Sequence, residues 1–354
     1  MARALFHAAR GRGRTSPNPM VGAVVVSADG VVVGQGHHER AGDAHAEVRA
    51  LDQAGTGARG GTLYCTLEPC AHVGRTGPCV VRIVDAGIAR VVAAVEDPDP
   101  RVRGQGFAFL RARGVDVEVG LGERRAKTLN QPFFTLISDG RPFVVLKAAM
   151  SRDGCIAASP GVRTDLTSAV ANRHAQRDRA EADAIGIGVG TLLVDDPLLT
   201  PRGAYRARPL VRVVFDRHLR MPATARLLST GAAGPVIIVT TASGASSAMA
   251  RSRLQAAGAE ILVAPDSTLR AALICLGQRG ISSLLLEGGA AVHQAAWDEG
   301  VVDLVRLYVT PHTLGPGGLR FLNGRPFSST ELFDVRVEQL GCDQLIEGYV
   351  HGPR

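Results

Sequence analysis

TLEPCAHVGRTGPC, residues 66–79, carries two cysteines, Cys70 and Cys79, with eight residues between them. Upstream of this stretch the chain reads His45-Ala46-Glu47. Imidazole and thiolate are ligand types that Zn²⁺ prefers, and three protein ligands leave a fourth position open for water. The pattern therefore predicts a zinc site built from His45, Cys70 and Cys79, where the metal brings the pKa of a bound water towards neutrality.

Glu47, two residues after His45, is the predicted catalytic group of this site. A carboxylate there can take the proton of the attacking water and pass it to leaving ammonia, so we interpret Glu47 as general acid and base and not as a ligand. Zinc deaminases carry H-x-E followed by P-C-x-x-C. This chain has the first motif and Pro69-Cys70, but a longer spacing before the second cysteine. The alternative is a helix-surface His-Ala-Glu with two unrelated core cysteines.

The segments around this stretch alternate between strand-like and helix-like sequence. Residues 62–66 are typical of a strand and 79–86 of a helix, and the turn Asp29-Gly30 between two apolar runs predicts a hairpin. This order predicts an α/β layer with parallel strands joined by crossovers. A polar cluster at 138–142 predicts a boundary, after which the alternation restarts, so we expect domains at residues 1–142 and 143–354.

The composition excludes several classes of protein. With 354 residues, 45% hydrophobic and 21% charged, the chain has the composition of a globular protein with two ordinary domains. No stretch approaches the roughly 20 apolar residues of a membrane span, and no signal peptide is recognisable, so a cytoplasmic protein is expected. The formal charge of +7 fits anionic small molecules as well as polyanions, but aromatic residues, at 4%, are too scarce for a base-stacking platform.

The longer cysteine spacing has a counterpart in a known family. Residues 66–79 resemble the deaminase domain of the bifunctional riboflavin-biosynthesis deaminase–reductases, and so do PNPMVG at 17–22 and GHHERAG at 36–42. KAAMSRDG at 147–154 and GTLLVDDPLLTPR at 190–202 resemble the reductase domain. The resemblance implies an α/β protein with an N-terminal cytidine-deaminase-like α/β/α sandwich and a C-terminal dihydrofolate-reductase-like α/β domain.

In the first domain, the resemblance implies the same zinc ligands and the same role for Glu47. The implied substrate is 2,5-diamino-6-ribosylamino-4(3H)-pyrimidinone 5′-phosphate. Asn18 is expected to contact the pyrimidine, although an Asn between two prolines is also ordinary turn chemistry. His38, His72 and Arg75 are expected to line the pocket or to contact the phosphate.

In the second domain, no G-x-G-x-x-G follows the first strand, so a Rossmann site is not indicated. Glycine clusters at 185–191 and 287–290 are each weak signals for a phosphate-binding turn. The resemblance implies that hydride from NADPH reduces a ribosylamino C1′ to ribitylamino. The residues expected to bind NADPH are Ala149, Asp165, Thr191, Asp195, Gly288, Gly289 and Ala290. The residues expected to bind the substrate are Lys147, Arg163, Thr167, Arg179, Leu199, Arg202 and Glu287.

The chain departs from the family just before Thr167. Where the family usually carries Ser and Trp, this sequence reads Arg163-Thr164-Asp165. We expect Arg163 to meet a phosphate, either that of the substrate or the 2′-phosphate of the cofactor. Lys147 is one of only two lysines in a chain that otherwise uses Arg, which favours a specific role beside the opening sugar.

These patterns predict a bifunctional enzyme that uses Zn²⁺ and NADPH and acts on small phosphorylated pyrimidines. We expect a homo-oligomer, and neither a nucleic-acid nor a membrane partner. Two alternatives stay open at this point. One is a nucleic-acid base deaminase with an accessory domain. The other is an active deaminase whose second domain only binds a ligand.

Overall fold

The computed structural model describes residues 1–71, 77–322 and 327–352. The chain forms two compact units, Met1–Asp139 and Gly140–Arg354. The predicted contacts of His72 and Arg75 lie outside the described residues. In the described part of the chain, none of the helices has the length and apolar character that crossing a membrane requires.

The first unit is built on a mixed sheet. Its described strands are β1 (Gly22–Val26), β2 (Val32–His37), β3 (Thr62–Cys65), β4 (Arg90–Ala93) and β5 (Asp116–Val119), in the order β2-β1-β3-β4-β5. Its helices are α1 (Ala2–Ala9), α2 (Ala46–Ala54), α3 (Cys79–Asp85), α4 (Gln105–Arg111), α5 (Glu123–Leu129) and α6 (Gln131–Asp139). The prediction of parallel strands is confirmed for β3, β4 and β5. β1 is antiparallel to β2, because a short hairpin turn can only join antiparallel strands, and it is also antiparallel to β3.

Helix α2 packs directly on β2, and two glycines permit this contact. A Cβ atom on Gly34 would lie 2.0 Å from the carbonyl oxygen of Ala50, and one on Gly36 would lie 2.6 Å from that of Ala46. Any larger residue at either position would push the helix away from the sheet. Since α2 begins directly after His45, this close approach fixes the position of the predicted zinc ligand.

The second unit contains a larger, mainly parallel sheet. Its described strands are β6 (Phe143–Ser151), β7 (Cys155–Ala157), β8 (Ala184–Gly188), β9 (Val211–Phe215), β10 (Val236–Thr241), β11 (Ala259–Ala264), β12 (Ser283–Gly288), β13 (Leu304–Thr310), β14 (Leu319–Arg320), β15 (Phe333–Leu340) and β16 (Asp343–Tyr349). Its helices are α7 (Ala169–Glu181), α8 (Val189–Asp195), α9 (Ala242–Ala245), α10 (Ala248–Ala256), α11 (Leu269–Gly277) and α12 (Ala290–Asp298). Within the described residues, the nine-stranded sheet has the order β11-β10-β9-β8-β12-β6-β13-β16-β15.

The restarted alternation predicts a second set of parallel strands, and the neighbouring strands β11-β10-β9-β8-β12-β6-β13 are parallel. The antiparallel pair of β15 and β16 at one edge was missed. β15 carries a usable signal, because Phe333, Val335 and Val337 alternate with charged residues, as expected for a strand. All three side chains are exposed, so their alternation does not mark a buried face.

We predict that Gly34→Ala lowers the free energy of unfolding by about 1–3 kcal/mol, because the added methyl group meets the backbone of α2. Urea denaturation followed by circular dichroism measures the change. Gly57→Ala is a matched control, since a Cβ atom there would lie an ordinary 3.5 Å from the side chain of Val33. Equal stability of Gly34→Ala and the wild type would contradict the close packing.

Candidate active sites

Three metal-ligating side chains from separate parts of the first unit meet at one point. His45 Nδ1 lies 3.2 Å from Cys79 Sγ and 3.5 Å from Cys70 Sγ. The ligand atoms of all three lie within 4.8 Å of one another. One nitrogen and two sulfurs at this spacing fit a single tetrahedral Zn²⁺ with its fourth position open.

The local backbone explains why these ligands meet. His45 is the N-cap residue of α2, with extended backbone at φ −68° and ψ 161°, and Cys79 is the first residue of α3. The backbone N–H of Cys79 donates to Cys70 Sγ at 3.4 Å. Hydrogen bonds from Cys79 and His45 lower the pKa of Cys70 to about 4, although burial opposes this shift. Cys70 is therefore available as a thiolate, which is the form that binds metal.

Glu47 lies in the first turn of α2 and is 3% exposed. Its Oε2 atom has no hydrogen-bond partner among the described residues. Burial raises the pKa of Glu47 to about 7, while the neighbouring His45 acts in the opposite direction. A buried carboxyl oxygen without a partner fits a site that is completed by a bound water or substrate.

Asn18 and His38 lie beside this cluster. Asn18 Nδ2 is 3.2 Å from His38 Nε2, and His38 Nδ1 is 3.4 Å from the carbonyl oxygen of Ala44. Burial lowers the pKa of His38, so a neutral ring that donates from Nδ1 and accepts from Asn18 accounts for both contacts. The His38 ring also packs edge-on against His45, with their centroids 5.6 Å apart. The structure thus brings both predicted pocket residues next to the potential zinc ligands.

Glu68 is a site residue that the sequence interpretation missed. Its carboxylate is buried and accepts hydrogen bonds from four backbone N–H groups of a later segment. The donors and their distances are Asp97 at 3.1 Å, Gly104 at 2.9 Å, Gly106 at 2.9 Å and Phe107 at 3.4 Å. These bonds hold the segment around the start of α4 against the loop that leads to Cys70. The sequence does place a charged residue, Glu68, directly before Pro69-Cys70. A charge that becomes buried beside a metal site must find hydrogen-bond or ion-pair partners, so this position could have been recognised.

In the second unit, every residue predicted to bind NADPH or the reductase substrate lines one cavity of about 720 Å³. The cavity lies beside β6, the last residues of β12 and the first turn of α8. Gly288 and Gly289 pack closely on Thr191, because a Cβ atom on either glycine would lie 3.2 Å or 2.8 Å from that side chain. Helix α12 then starts without a side-chain cap, which leaves N–H groups for an anionic group. These features fit a phosphorylated cofactor such as NADPH.

A buried charge cluster forms part of the cavity wall. Arg179 makes two hydrogen bonds to Glu287, at 2.7 and 2.6 Å, and Lys147 Nζ lies 3.8 Å from the same carboxylate. Burial alone would raise the pKa of Glu287, but Lys147 and Arg179 together lower it to about 2. His293, which was not predicted, completes the wall; burial lowers its pKa to about 4, so the ring is neutral.

Asp195 also lines this cavity, and one of its carboxyl oxygens is unpartnered among the described residues. This oxygen, Oδ1, is buried. Burial raises the pKa of Asp195, and the charge of Arg163 opposes that shift. Arg163 itself is largely exposed and pairs with Asp165 at 3.3 Å. The departure from the family pattern at residues 163–165 therefore lies at the mouth of the cavity. The side chains of Arg163 and Asp165 both face solvent there.

Family models match both units. The model "RibD C-terminal domain" matches residues 142–349, and "Cytidine and deoxycytidylate deaminase zinc-binding region" matches residues 1–95. The chain belongs to the RibD family. It is 39% identical to riboflavin biosynthesis protein RibD of Aquifex aeolicus over 98% of this chain and 96% of the relative. It is 40% identical to the Bacillus amyloliquefaciens protein of the same name, over 97% and 93% of the two chains.

Solved structures of RibD proteins have the same fold. Acinetobacter baumannii RibD superposes with a TM-score of 0.86 at 34% identity, covering 98% of this chain and 97% of that chain. A Thermotoga maritima protein described as a diaminohydroxyphosphoribosylaminopyrimidine deaminase/5-amino-6-(5-phosphoribosylamino)uracil reductase also gives 0.86, at 33% identity over 99% and 97%. The predicted family, the fold class of both domains and the zinc-binding deaminase region are confirmed.

We predict that Glu68→Ala weakens zinc binding by about 10- to 100-fold, the range found when groups that orient metal ligands are removed. The reason is that four backbone N–H groups lose their acceptor and release the segment packed against the Cys70 loop. Zinc retained against a chelator, measured by elemental analysis, tests this. Glu118→Ala, at an exposed ion pair with Arg90, is the control and should retain zinc like the wild type. Wild-type affinity in Glu68→Ala would contradict the assigned role.

We predict that Glu287→Gln destabilises the second unit in a pH-dependent way. Because the pKa of Glu287 is about 2, below its ordinary value of 4.5, the ionised carboxylate stabilises the folded state above pH 4.5. That contribution is lost as the pH falls from 4.5 towards 2. The stability difference from the wild type should therefore stay constant above about pH 5 and shrink between about pH 5 and pH 2.

Fluorescence of Trp297, the single tryptophan of the chain, reports unfolding of this unit in urea. Glu338→Gln, on the exposed strand β15, is the control and should stay within about 0.5 kcal/mol of the wild type. A stability difference for Glu287→Gln that is constant over this pH range would show that the ionised carboxylate is not its source.

Proposed function

We propose that residues 1–142 form a zinc-dependent deaminase and residues 143–354 an NADPH-dependent reductase, acting in succession in riboflavin biosynthesis. The first reaction hydrolyses 2,5-diamino-6-ribosylamino-4(3H)-pyrimidinone 5′-phosphate and releases ammonia. The second reduces the ribosyl side chain of that product to ribityl. The two activities named for the similar Thermotoga maritima protein support this assignment.

The observation that carries the proposal is the meeting of His45, Cys70 and Cys79 beside the buried Glu47. Zinc held by these three ligands would supply a hydroxide nucleophile near neutral pH. Glu47 would take the proton of the attacking water and deliver it to the amino group, so that oxygen replaces nitrogen on the ring and ammonia leaves. Asn18 would contact the pyrimidine, with its orientation set by the hydrogen bond to His38.

In the reductase, hydride from NADPH would add to C1′ while the bond from C1′ to the ring oxygen breaks. The freed oxygen then needs a proton, and Lys147 and Asp195, which both line the cavity, are the candidate donors. Arg179 is committed to Glu287 through two hydrogen bonds. Arg202, for which the described residues provide no ion pair, is therefore the better candidate for the substrate phosphate.

The same cavity argues against a second domain that only binds a ligand, because a binding module has no need for a partly buried lysine held beside a carboxylate. The alternative of a nucleic-acid base deaminase is not supported, since aromatic residues make up only 4% of the chain. The homo-oligomeric state and the cytoplasmic location stay predictions from the sequence.

We predict that Glu47→Gln retains zinc and loses deamination by at least 100-fold, because the amide cannot carry the proton. Cys79→Ser is expected to lose both deamination and the bound zinc. The purified chain is incubated with the diaminopyrimidinone phosphate, with and without NADPH, and products are followed by mass spectrometry. The wild type should yield the deaminated product alone without NADPH and the ribityl product with it.

For Glu47→Gln, the deaminated intermediate supplied directly should still be reduced with NADPH, which separates the two activities. Full deamination by this variant would refute the role of Glu47. Failure of the wild type to reduce the supplied intermediate would refute the assignment of the second domain.

A further inference from the structure

The ammonium group of Lys147 has two neighbours in the cavity wall. One is the carboxylate of Glu287, whose Oε2 atom lies 3.8 Å from Nζ, beyond hydrogen-bond distance. Both oxygens of Glu287 already accept hydrogen bonds from Arg179. The other neighbour is the ring of Tyr308, since Nζ lies over its face, 5.4 Å from the ring centroid. A cation within about 6 Å of a ring centroid is attracted by the ring electrons.

The parallel pairing of β6 and β13 brings the tyrosine to this position. Tyr308 pairs with Ala149, two residues after Lys147, and side chains two residues apart on a strand share one face of the sheet. Tyr308 is fully buried, whereas the side chain of Lys147 is 15% exposed. Lys147 lines the cavity and Tyr308 does not. Tyr308 therefore contacts the lysine from inside the protein, and it can affect the reaction only through Lys147.

Helix α7 fixes the orientation of the tyrosine ring. The Tyr308 hydroxyl donates a hydrogen bond to Asp178 Oδ2 at 2.8 Å, and its oxygen lies 2.8 Å from His174 Nδ1. His174 and Asp178 are four residues apart on α7, so they lie on one face of the helix. Burial and the charge of Asp178 raise the pKa of Tyr308, so the hydroxyl keeps the proton that it donates.

The same helix also holds the other neighbour of Lys147. Arg179 follows Asp178 directly in the sequence and makes the two hydrogen bonds to Glu287. Asp178 forms an ion pair with Arg306, so its charge is compensated beside the tyrosine. One turn of α7 therefore supports both the carboxylate and the aromatic ring that flank the ammonium group.

We propose that Tyr308 is a positioning residue of the reductase, whose ring holds the ammonium group of Lys147 towards the opening sugar. The inference rests on the proposed function, in which Lys147 is a candidate proton donor to the freed oxygen. Because the contact with Glu287 is longer than a hydrogen bond, the ring face is the second restraint on Nζ. An aliphatic residue in place of Tyr308 removes this restraint.

The competing interpretation is that Tyr308 only fills the core. It belongs to a buried apolar cluster whose other members are Ala171, Ala175, Leu340 and Leu345. On that interpretation, truncating any member of the cluster lowers stability and leaves the chemistry of the folded protein unchanged. Leu340, on β15, is separated from β6 by two strands, so Leu340→Ala is a matched control for lost packing.

Single-turnover reduction by the full chain tests the proposal, with the deaminated intermediate supplied directly and NADPH consumption followed by absorbance. We expect Tyr308→Leu to slow reduction about 5- to 30-fold at saturating NADPH, the factor that a largely desolvated cation–π contact supplies. Tyr308→Phe keeps the ring and should lose at most about threefold. Leu340→Ala should lose stability in urea and still reduce the intermediate at the wild-type rate.

A double-mutant cycle with Lys147 separates positioning from packing. If the ring acts through the ammonium group, Lys147→Met is slow by itself, and adding Tyr308→Leu to it causes less than about a twofold further loss. If Tyr308 is only a core residue, the effects of the two substitutions are independent and multiply. The same single-turnover rate is measured for all four chains.

A spectroscopic measurement on the wild-type chain does not depend on the folding of any tyrosine variant. Lys127 and Lys147 are the only lysines, so labelling lysine with ¹³C at Cε gives two NMR signals, which Lys127→Arg assigns. The ring current of Tyr308 should shift the Hε signal of Lys147 upfield of that of Lys127, which pairs with Glu123 on α5. This shift should persist in Tyr308→Phe and disappear in Tyr308→Leu.

The proposal is overturned if Tyr308→Leu reduces the intermediate at the wild-type rate, or if its loss is undiminished in the Lys147→Met background. A Lys147 signal without an upfield shift would also overturn it. A wild-type rate in Lys147→Met would do the same, and each of these outcomes leaves the assignment of the two activities intact. Failure of the wild type to reduce the supplied intermediate would instead reject the proposed reductase function, on which the inference rests.

Discussion

A carboxylate that loses its water on folding must find hydrogen bonds or cations inside the protein, and this constraint shapes both sites. In the first unit, Glu68 is satisfied by four backbone N–H groups, which tie a later segment to the loop that carries Cys70. In the second unit, Glu287 is satisfied by the side chains of Arg179 and Lys147. In each case, the partners of one buried charge hold neighbouring parts of the site in place.

Glu47 shows the opposite arrangement. The contrast distinguishes a carboxyl group that transfers protons from carboxylates that hold parts of the site in place. Glu47 is as deeply buried as Glu68, yet one of its oxygens has no partner among the described residues. Burial outweighs the opposing effect of His45 and raises the pKa of Glu47 to about 7, whereas the cations around Glu287 lower the pKa of that residue to about 2. A carboxyl group that exchanges its proton near neutral pH suits proton transfer, and one that is always ionised suits positioning.

Much of the first site could be predicted because its chemistry depends on particular residue types at short spacings along the sequence. His45, Glu47 and Pro69-Cys70 form a recognisable pattern, and the structure brings His45 next to both cysteines across the longer loop. Glu68 lies inside the same motif, yet its role was not foreseen, because its donors come from residues 97–107 and are backbone groups. Backbone N–H groups are present at almost every residue, so no sequence pattern distinguishes the ones that will serve.

The sequence by itself determined the α/β class, the zinc-deaminase motif and the family, since all three depend on local periodicity and on residues close in the chain. Only the tertiary structure decided that Arg179 is committed to Glu287 and that Arg163 lies at an exposed cavity mouth. It alone showed that the residues predicted to bind NADPH and the reductase substrate line a single cavity. Cavities and ion pairs arise where parallel strands bring distant segments side by side, and that juxtaposition is a property of the packed sheet.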